Sequence, residues 1–263
     1  MFFVALITRR MRVYGGVAGI FLPMTTSTFG ARVVLVTGGN RGIGLSIARA
    51  FKEAGDTVVI SHRAGSAPDG LYGVIMDVTD SSSVQAAFQD IESRFGTVDV
   101  LVANAGITKD GLSLRMSEAD FQEVVNTNLT GAFRTVQKAL GGMAKKRHGR
   151  VIFIGSVVGL MGSAGQVNYA STKSGLVGMA RSFAREYGSR NITFNVIAPG
   201  FVETDMTSVL SDELRSKYVG QIPLGRFCSP EEIAGVATFL ASHEAGYITG
   251  AVIPVDGGLG MGH

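Results

Sequence analysis

The sequence predicts an α/β protein built on one doubly wound sheet of seven parallel strands. Short apolar, β-branched runs alternate with segments of helical period, the pattern of strands joined by crossover helices. Nearly every run ends in glycine or a small polar turn, which in a parallel sheet gathers those turns along one edge. Of the 263 residues 46% are hydrophobic and 17% charged, enough apolar chain for a sizeable core.

Residues 1–23 stand apart from this pattern. Phe2 to Ile7 is apolar, Thr8 to Arg12 is basic, and a glycine-containing apolar stretch follows, each run too short to span a bilayer. They are expected to be a non-functional extension, with translation starting at Met24 and a single domain over 24–263; a peripheral membrane anchor is the alternative. Arg32 to Thr37 reads as the first buried strand, and Gly38, Asn40, Arg41, Gly42, Ile43 and Gly44 form a glycine-rich turn into a helix. A backbone without Cβ can approach a pyrophosphate while helix N-terminal amides face its charge, so this turn is a candidate phosphate cradle. The spacing Gly-x-x-x-Gly-x-Gly fits neither Gly-x-Gly-x-x-Gly nor a P-loop, and a plain tight turn is the other reading.

Thr57 to Ser61 is the second strand, ending in His62-Arg63. An acid there would suit a ribose 2′-hydroxyl; Arg63 together with Arg41 points to the 2′-phosphate of NADP, unless both are solvated surface charges. Gly73 to Val78 is the third strand, whose Asp77 and Val78 could meet the adenine, Asp77 otherwise capping the helix that follows. Asp99 to Ala103, the fourth strand, ends in Asn104-Ala105-Gly106, small enough to let a cofactor ribose lie close. A helix over Phe121 to Lys138 carries Asn126 and Asn128, poor residues for a helix interior, so one of them is either functional or caps a bend. Arg150 to Ile154 is the fifth strand and delivers Ser156. Asn191 to Ile197 is the sixth, Asp205 to Arg226 reads as a lid, Pro230 opens a helix, and Ala251 to Val255 closes the sheet.

The stretch most like a reaction centre is Val167 to Tyr187. If it is helical, Tyr169 and Lys173 project side by side, and a nearby ammonium would lower the phenol pKa toward a working range. Ser156 could hydrogen-bond the same substrate oxygen. Tyr and Lys at this spacing also occur by chance, and Ser156 could simply end its strand.

Taken together and in order, the loop from Thr37 to Gly44, Asn104-Ala105-Gly106, Ser156, Tyr169 to Lys173 and Pro199-Gly200 closely resemble the short-chain dehydrogenase/reductase family, from about Arg32 to the C-terminus. Within it, Gly106 to Asp110, Leu114 to Ser117, Lys145 to Arg150 and Gly200 to Thr207 look like the β-ketoacyl-acyl carrier protein reductases. The loop Gly38 to Leu45 and the tail from Ile253 look like their mycobacterial form, although Met161 and Met76 stand where that form is expected to carry tryptophan and cysteine.

The resemblance implies a Rossmann fold, NADPH as cofactor and a homotetramer. It gives Tyr169 as proton donor, Ser156 as its hydrogen-bonding partner, Lys173 as holder of the nicotinamide ribose and tuner of Tyr169, and Asn128 as support of a water relay. It seats the nicotinamide on Pro199, Gly200, Val202 and Thr204. An acyl carrier protein is acidic, so Lys145, Lys146, Arg147 and Arg190 are its expected docking patch, or else a solvated basic face.

A net charge of +3 with dispersed basic residues argues against nucleic-acid binding. Cys228, the one cysteine, excludes an intrachain disulfide and a cysteine-based metal cluster and fits a reducing, cytoplasmic compartment. Other readings are a reductase of acetoacetyl-coenzyme A or another ketone, and a nucleotide-sensing protein without turnover. The presence of Asn128, Ser156, Tyr169 and Lys173 together disfavours the last.

Overall fold

The computed structural model describes residues 31–208 and 211–261; the expected extension over 1–23 lies outside them. The strands are β1 (Val33–Val36), β2 (Thr57–His62), β3 (Tyr72–Ile75), β4 (Val100–Ala103), β5 (Gly149–Ile154), β6 (Ile192–Pro199) and β7 (Val252–Val255). They form one sheet in the order β3-β2-β1-β4-β5-β6-β7, each neighbouring pair parallel. The order reverses between β1 and β4, which opens a crevice at their carboxyl ends where ligands of such sheets bind.

The helices are α1 (Gly42–Glu53), α2 (Ser81–Phe95), α3 (Glu118–Val125), α4 (Gly131–Lys146), α5 (Val158–Met161), α6 (Val167–Tyr187), α7 (Asp205–Ser208), α8 (Asp212–Val219) and α9 (Pro230–Leu240). Because successive strand side chains point to opposite faces, β1 serves two cores at once. Val34 and Val36 pack with Ile47 and Phe51 of α1 and Ile233 and Leu240 of α9. Val33 and Leu35 pack with Phe88 of α2, Val136 and Met143 of α4 and Leu176 of α6. Both faces of every central strand are thus covered, which is why these strands read as continuous apolar runs.

The helix expected over Phe121 to Lys138 is interrupted. Asn126–Thr130 forms a π-helical turn between α3 and α4. An asparagine competes for backbone hydrogen bonds in mid-helix, and here that weakness is used: the widened turn carries Asn128 inward, 2% exposed. Asp77 lies beyond β3, which ends earlier than its apolar run, and the cap of α2 is Asp80, whose carboxylate accepts from Ser82 N. The expected lid holds two short helices, α7 and α8, followed by a turn.

At the amino edge, Arg32 pairs with Asp56 through two hydrogen bonds (2.9 and 2.7 Å) and donates to Ala241 O, fastening β1 to the end of α9. Arg147 closes α4 in the left-handed region (φ 51°), a position where a Cβ is costly and glycine is usual. Its exposed guanidinium donates to Ser189 O at 3.0 Å. Arg147→Gly is therefore expected to stabilise the fold by about 0.5–1 kcal/mol, read as a higher urea midpoint with unchanged slope; a lower midpoint would show that the Ser189 contact outweighs the backbone strain.

Candidate active site

Thr37, at the end of β1, and Asn104, at the end of β4, stitch the crevice together. The Thr37 hydroxyl accepts from Asn104 N (3.0 Å) and Ala105 N (2.9 Å), while Asn104 Nδ2 donates to the carbonyls of Thr37 (2.9 Å) and Gly38 (3.1 Å). Gly38 and Gly42 both have positive φ (62° and 52°). A Cβ on Gly44 would lie 2.5 Å from Asn104 Nδ2 and 2.7 Å from Gly38 O, so only glycine lets α1 start this close to the strand ends. No side chain caps α1 and its first turn holds no acid, leaving its N-terminal amides and dipole directed at the loop. Residue by residue, this cradle fits a dinucleotide pyrophosphate.

The rim of the cradle comes from neighbouring strand ends. Arg41 and Arg63 are exposed, and the Arg63 charge helps hold the Asp77 carboxyl below its usual range, after the hydrogen bonds from Thr79. Asp77 Oδ1 accepts from Thr79 N and Oγ1 (2.8 and 2.7 Å). Val78 turns its side chain into the core under Gly131, and its carbonyl accepts from Arg134. On the far side Val157 N donates to Pro199 O and Gly200 N to Val255 O. Val202 is buried, and its backbone is held by a strand-like bridge to Cys228. The Thr204 methyl lies 3.6 Å from where a Cβ of Gly42 would be, which closes the ring of expected nucleotide contacts.

Beyond the cradle stand the residues expected to carry the reaction. α6 begins at Val167, and the buried Asn168 accepts from Tyr169 N (2.7 Å) through its own carboxamide oxygen, fixing the peptide that carries the tyrosine. Ser156, whose Oγ accepts from Val158 N (3.2 Å), stands near enough to the Tyr169 hydroxyl to favour its charged form. Lys173, 6% exposed, donates from Nζ to Ile154 O (2.7 Å), and that nitrogen lies 5.4 Å from the centroid of the Tyr169 ring. Asn128 is tied on both sides of its amide: Oδ1 accepts from Ile107 N (2.8 Å), and Nδ2 donates to Ile107 O (2.9 Å) and Thr172 Oγ1 (3.4 Å). It therefore joins the loop after β4 to α6 directly beneath Tyr169.

The electrostatics differ from the expectation that Lys173 lowers the Tyr169 pKa. Burial of the phenol pushes it up to about 12; Ser156 pulls the other way and the Asp110 charge adds to the rise. Burial likewise brings Lys173 down to about 8. The ammonium addresses the ring face and a backbone carbonyl rather than the hydroxyl, so desolvation governs both groups. At neutral pH this is a protonated phenol beside a mostly charged lysine.

The basic residues expected to dock a carrier lie elsewhere. Lys145, Lys146 and Arg147 end α4, and Arg190 precedes β6, so all four sit at the amino edge, separated from Ser156 by the length of β5, ~20 Å at the usual rise per residue. Lys146 is ion-paired with Asp99 (2.7 Å) and donates to Thr97 O, so its charge is answered within the fold. Sequence reasoning assigned no role to the Thr37 hydroxyl, Asn168 or Gln166. Their signal was polarity at a strand end or helix start, which is common to many turns.

A dinucleotide cradle with a proton donor set immediately beside it places the protein among the nicotinamide-dependent oxidoreductases. A family model described as "Enoyl-(Acyl carrier protein) reductase" matches residues 38–260, and the chain belongs to this family, the short-chain dehydrogenases/reductases. It is similar to the 3-oxoacyl-[acyl-carrier-protein] reductase MabA of Mycobacterium tuberculosis, 53% identical over 235 residues, covering 89% of this chain and 95% of the relative. It is also similar to the 3-oxoacyl-[acyl-carrier-protein] reductases FabG of Aquifex aeolicus (48% identical, 87% and 97% covered) and of Escherichia coli (45%, 89% and 99%).

Lys173 is a buried charge that weakens the fold. Its folded pKa lies below its unfolded one, so the folded protein binds fewer protons between about 8 and 10.5, and its stability gains there as pH rises. Lys173→Met is expected to be more stable than the wild type at pH 7 by up to ~3 kcal/mol, with the gap closing toward pH 10.5. Urea midpoints across this range test it, and a gap independent of pH would overturn it.

Proposed function

We propose that this protein uses NADPH to reduce the 3-keto group of a 3-oxoacyl-[acyl carrier protein] to the 3-hydroxyacyl product, the step that fatty acid elongation requires. The observation that carries this reading is Tyr169, set beside Ser156 and with the Lys173 ammonium over its ring, next to the cradle, in a chain about half identical to relatives named for that reaction.

NADPH, when bound, supplies the hydride that adds to the 3-keto carbon. As the carbonyl π bond opens, its electron pair moves to oxygen, and Tyr169 gives that oxygen its proton while Ser156 donates a hydrogen bond to it. A phenol with a pKa near 12 is still a stronger acid than the developing alcohol, so the transfer is favourable, and at neutral pH the proton is present to give. Lys173, roughly nine-tenths charged at pH 7 for a pKa of about 8, offers its remaining N–H bonds to the nicotinamide ribose and stabilises the phenolate left behind. Asn128 orders Ile107 and Thr172 around the tyrosine and supports the return of its proton.

On the nucleotide side, Gly38, Asn40, Gly42, Ile43 and Gly44 hold the pyrophosphate, and Arg41 and Arg63 take the 2′-phosphate. Asp77 and Val78 meet the adenine, Asn104 and Gly106 the ribose, and Pro199, Gly200, Val202 and Thr204 the nicotinamide. The exposure of both arginines, with His62-Arg63 rather than an acid ending β2, supports NADPH over NADH.

Arg147 and Arg190, aided by Lys145 and Lys146, dock the acidic carrier. Because this patch lies at the amino edge, a homotetramer in which the patch of one copy adjoins the site of another brings the two functions together. Among the described residues no helix is long and apolar enough to cross a membrane, in keeping with a cytoplasmic enzyme. Reduction of acetoacetyl-coenzyme A or another ketone would use the same chemistry without the patch.

Tyr169→Phe is expected to lose at least ~10²-fold in turnover while binding NADPH with unchanged affinity, measured by nucleotide fluorescence; retained turnover would remove Tyr169 as the acid. Activity on a carrier-bound substrate should fall more steeply with salt than activity on a small thioester. Equal slopes would point to coenzyme A thioesters or simple ketones.

A further inference from the structure

The chain from Gly106 to Met116, after β4, runs beside the start of α6 as a strap without regular structure. Its inner end is held by Asn128 on Ile107, and Lys109 forms ion pairs with Asp120 (3.0 Å) and Glu123 (2.5 Å) of α3. Three bonds then join it to the turn before Tyr169. Asn168 Nδ2 donates to Lys109 O (2.8 Å), Gly111 N donates to Gly165 O (2.8 Å), and Gln166 Nε2 donates to Asp110 Oδ2 (2.9 Å).

Gln166 occupies the N-cap of α6, yet its side chain caps nothing in that helix and reaches across to Asp110 instead. Gly111 and Gly165 bring the two backbones together without side chains between them. Two of the three bonds bind main-chain groups directly or through the buried Asn168. The Asp110–Gln166 pair is the side-chain closure at the solvent side. Both joined segments carry exposed apolar residues, Leu112 (62%) and Leu114 (97%) on the strap and Met161 (50%) just ahead of the turn. The separation of strap and turn therefore sets how far apart these exposed apolar side chains stand on the two segments that flank the start of α6, where Tyr169 lies.

We propose that Asp110 and Gln166 form a latch that fixes the width of the substrate mouth, acting as positioning residues for the acyl substrate and not for the nucleotide. The nucleotide cradle is held from the other side, by Thr37 and Asn104, and none of the strap's bonds reaches it. The inference rests on the ketoacyl reductase reading given above.

The latch is tested by exchanging its two functional groups. Gln166→Glu sets two carboxylates against each other across the 2.9 Å contact, whereas Asp110→Asn with Gln166→Glu restores an amide donor, a carboxylate acceptor and the original net charge. The single variant is expected to raise KM for a long-chain 3-oxoacyl thioester about tenfold, the worth of one charge-assisted hydrogen bond, with NADPH affinity nearly unchanged. The double variant is expected to recover most of that loss.

A double variant no better than the single one, or an NADPH affinity that falls as far as the substrate's, overturns the proposal. Hydrogen exchange at the Gly111 amide gives a readout independent of substrate: it should quicken in Gln166→Glu and slow again in the double variant, and an unchanged rate overturns the latch. If the wild type reduces no 3-oxoacyl thioester, the functional reading fails while the exchange measurement still decides whether the latch exists.

Discussion

At the carboxyl end of a parallel strand the backbone runs out of ladder partners, and the amides and carbonyls beyond it need others. In this protein that need is met at the switch point by Asn104 and Thr37, each using its side chain on the other's backbone. The same bonds fix the Gly38 carbonyl, and the space Asn104 occupies dictates glycine at Gly44. The shape of the cradle, the start of α1 and the path of the strap after Asn104 all follow from this exchange. A requirement of sheet geometry thus becomes the arrangement that receives a dinucleotide.

Chemistry is placed where the fold is least comfortable. Lys173 is nearly buried and donates to the Ile154 carbonyl, and the Tyr169 hydroxyl is desolvated until it holds its proton tightly. The lysine is not what stability alone would choose, since burial disfavours its charged form, whereas the phenol stays neutral and its burial costs the fold no charge. What the arrangement provides is orientation: Asn168 fixes the tyrosine peptide and Ile154 the lysine, which would leave little reorganisation to the proton transfer proposed above.

Most of the fold was legible in the sequence because strands covered on both faces are apolar throughout, and β1 to β7 stand out as short β-branched runs. The limits of α6 were readable too, as were the residues gathered at the carboxyl edge, since topology alone carries strand ends there. Electrostatics were not. Spacing of four along a helix brings Tyr169 and Lys173 together, but whether the ammonium meets the hydroxyl or the ring depends on Ile154, 19 positions before the lysine in the chain. The basic run Lys145 to Arg147 looked continuous, yet Asp99 answers one of its charges from the bend just before β4. Long-range partners of this kind leave no local pattern, and the Asp110–Gln166 pair is hidden for the same reason.

The π turn at Asn126–Thr130 also acts as a phase shifter. In an α-helix each residue advances the direction of its side chain by about 100°, so one additional residue in a turn changes which way everything downstream faces. Val124, before the turn, and Val136, after it, are both fully buried, with Asn128 turned inward between them. Shortening the turn by one residue would leave every strand in place but rotate α4 relative to α3, setting the catalytic neighbourhood and the hydrophobic core out of phase with each other. The helix is thus the element through which the timing of the apolar pattern and the position of Asn128 are kept in step.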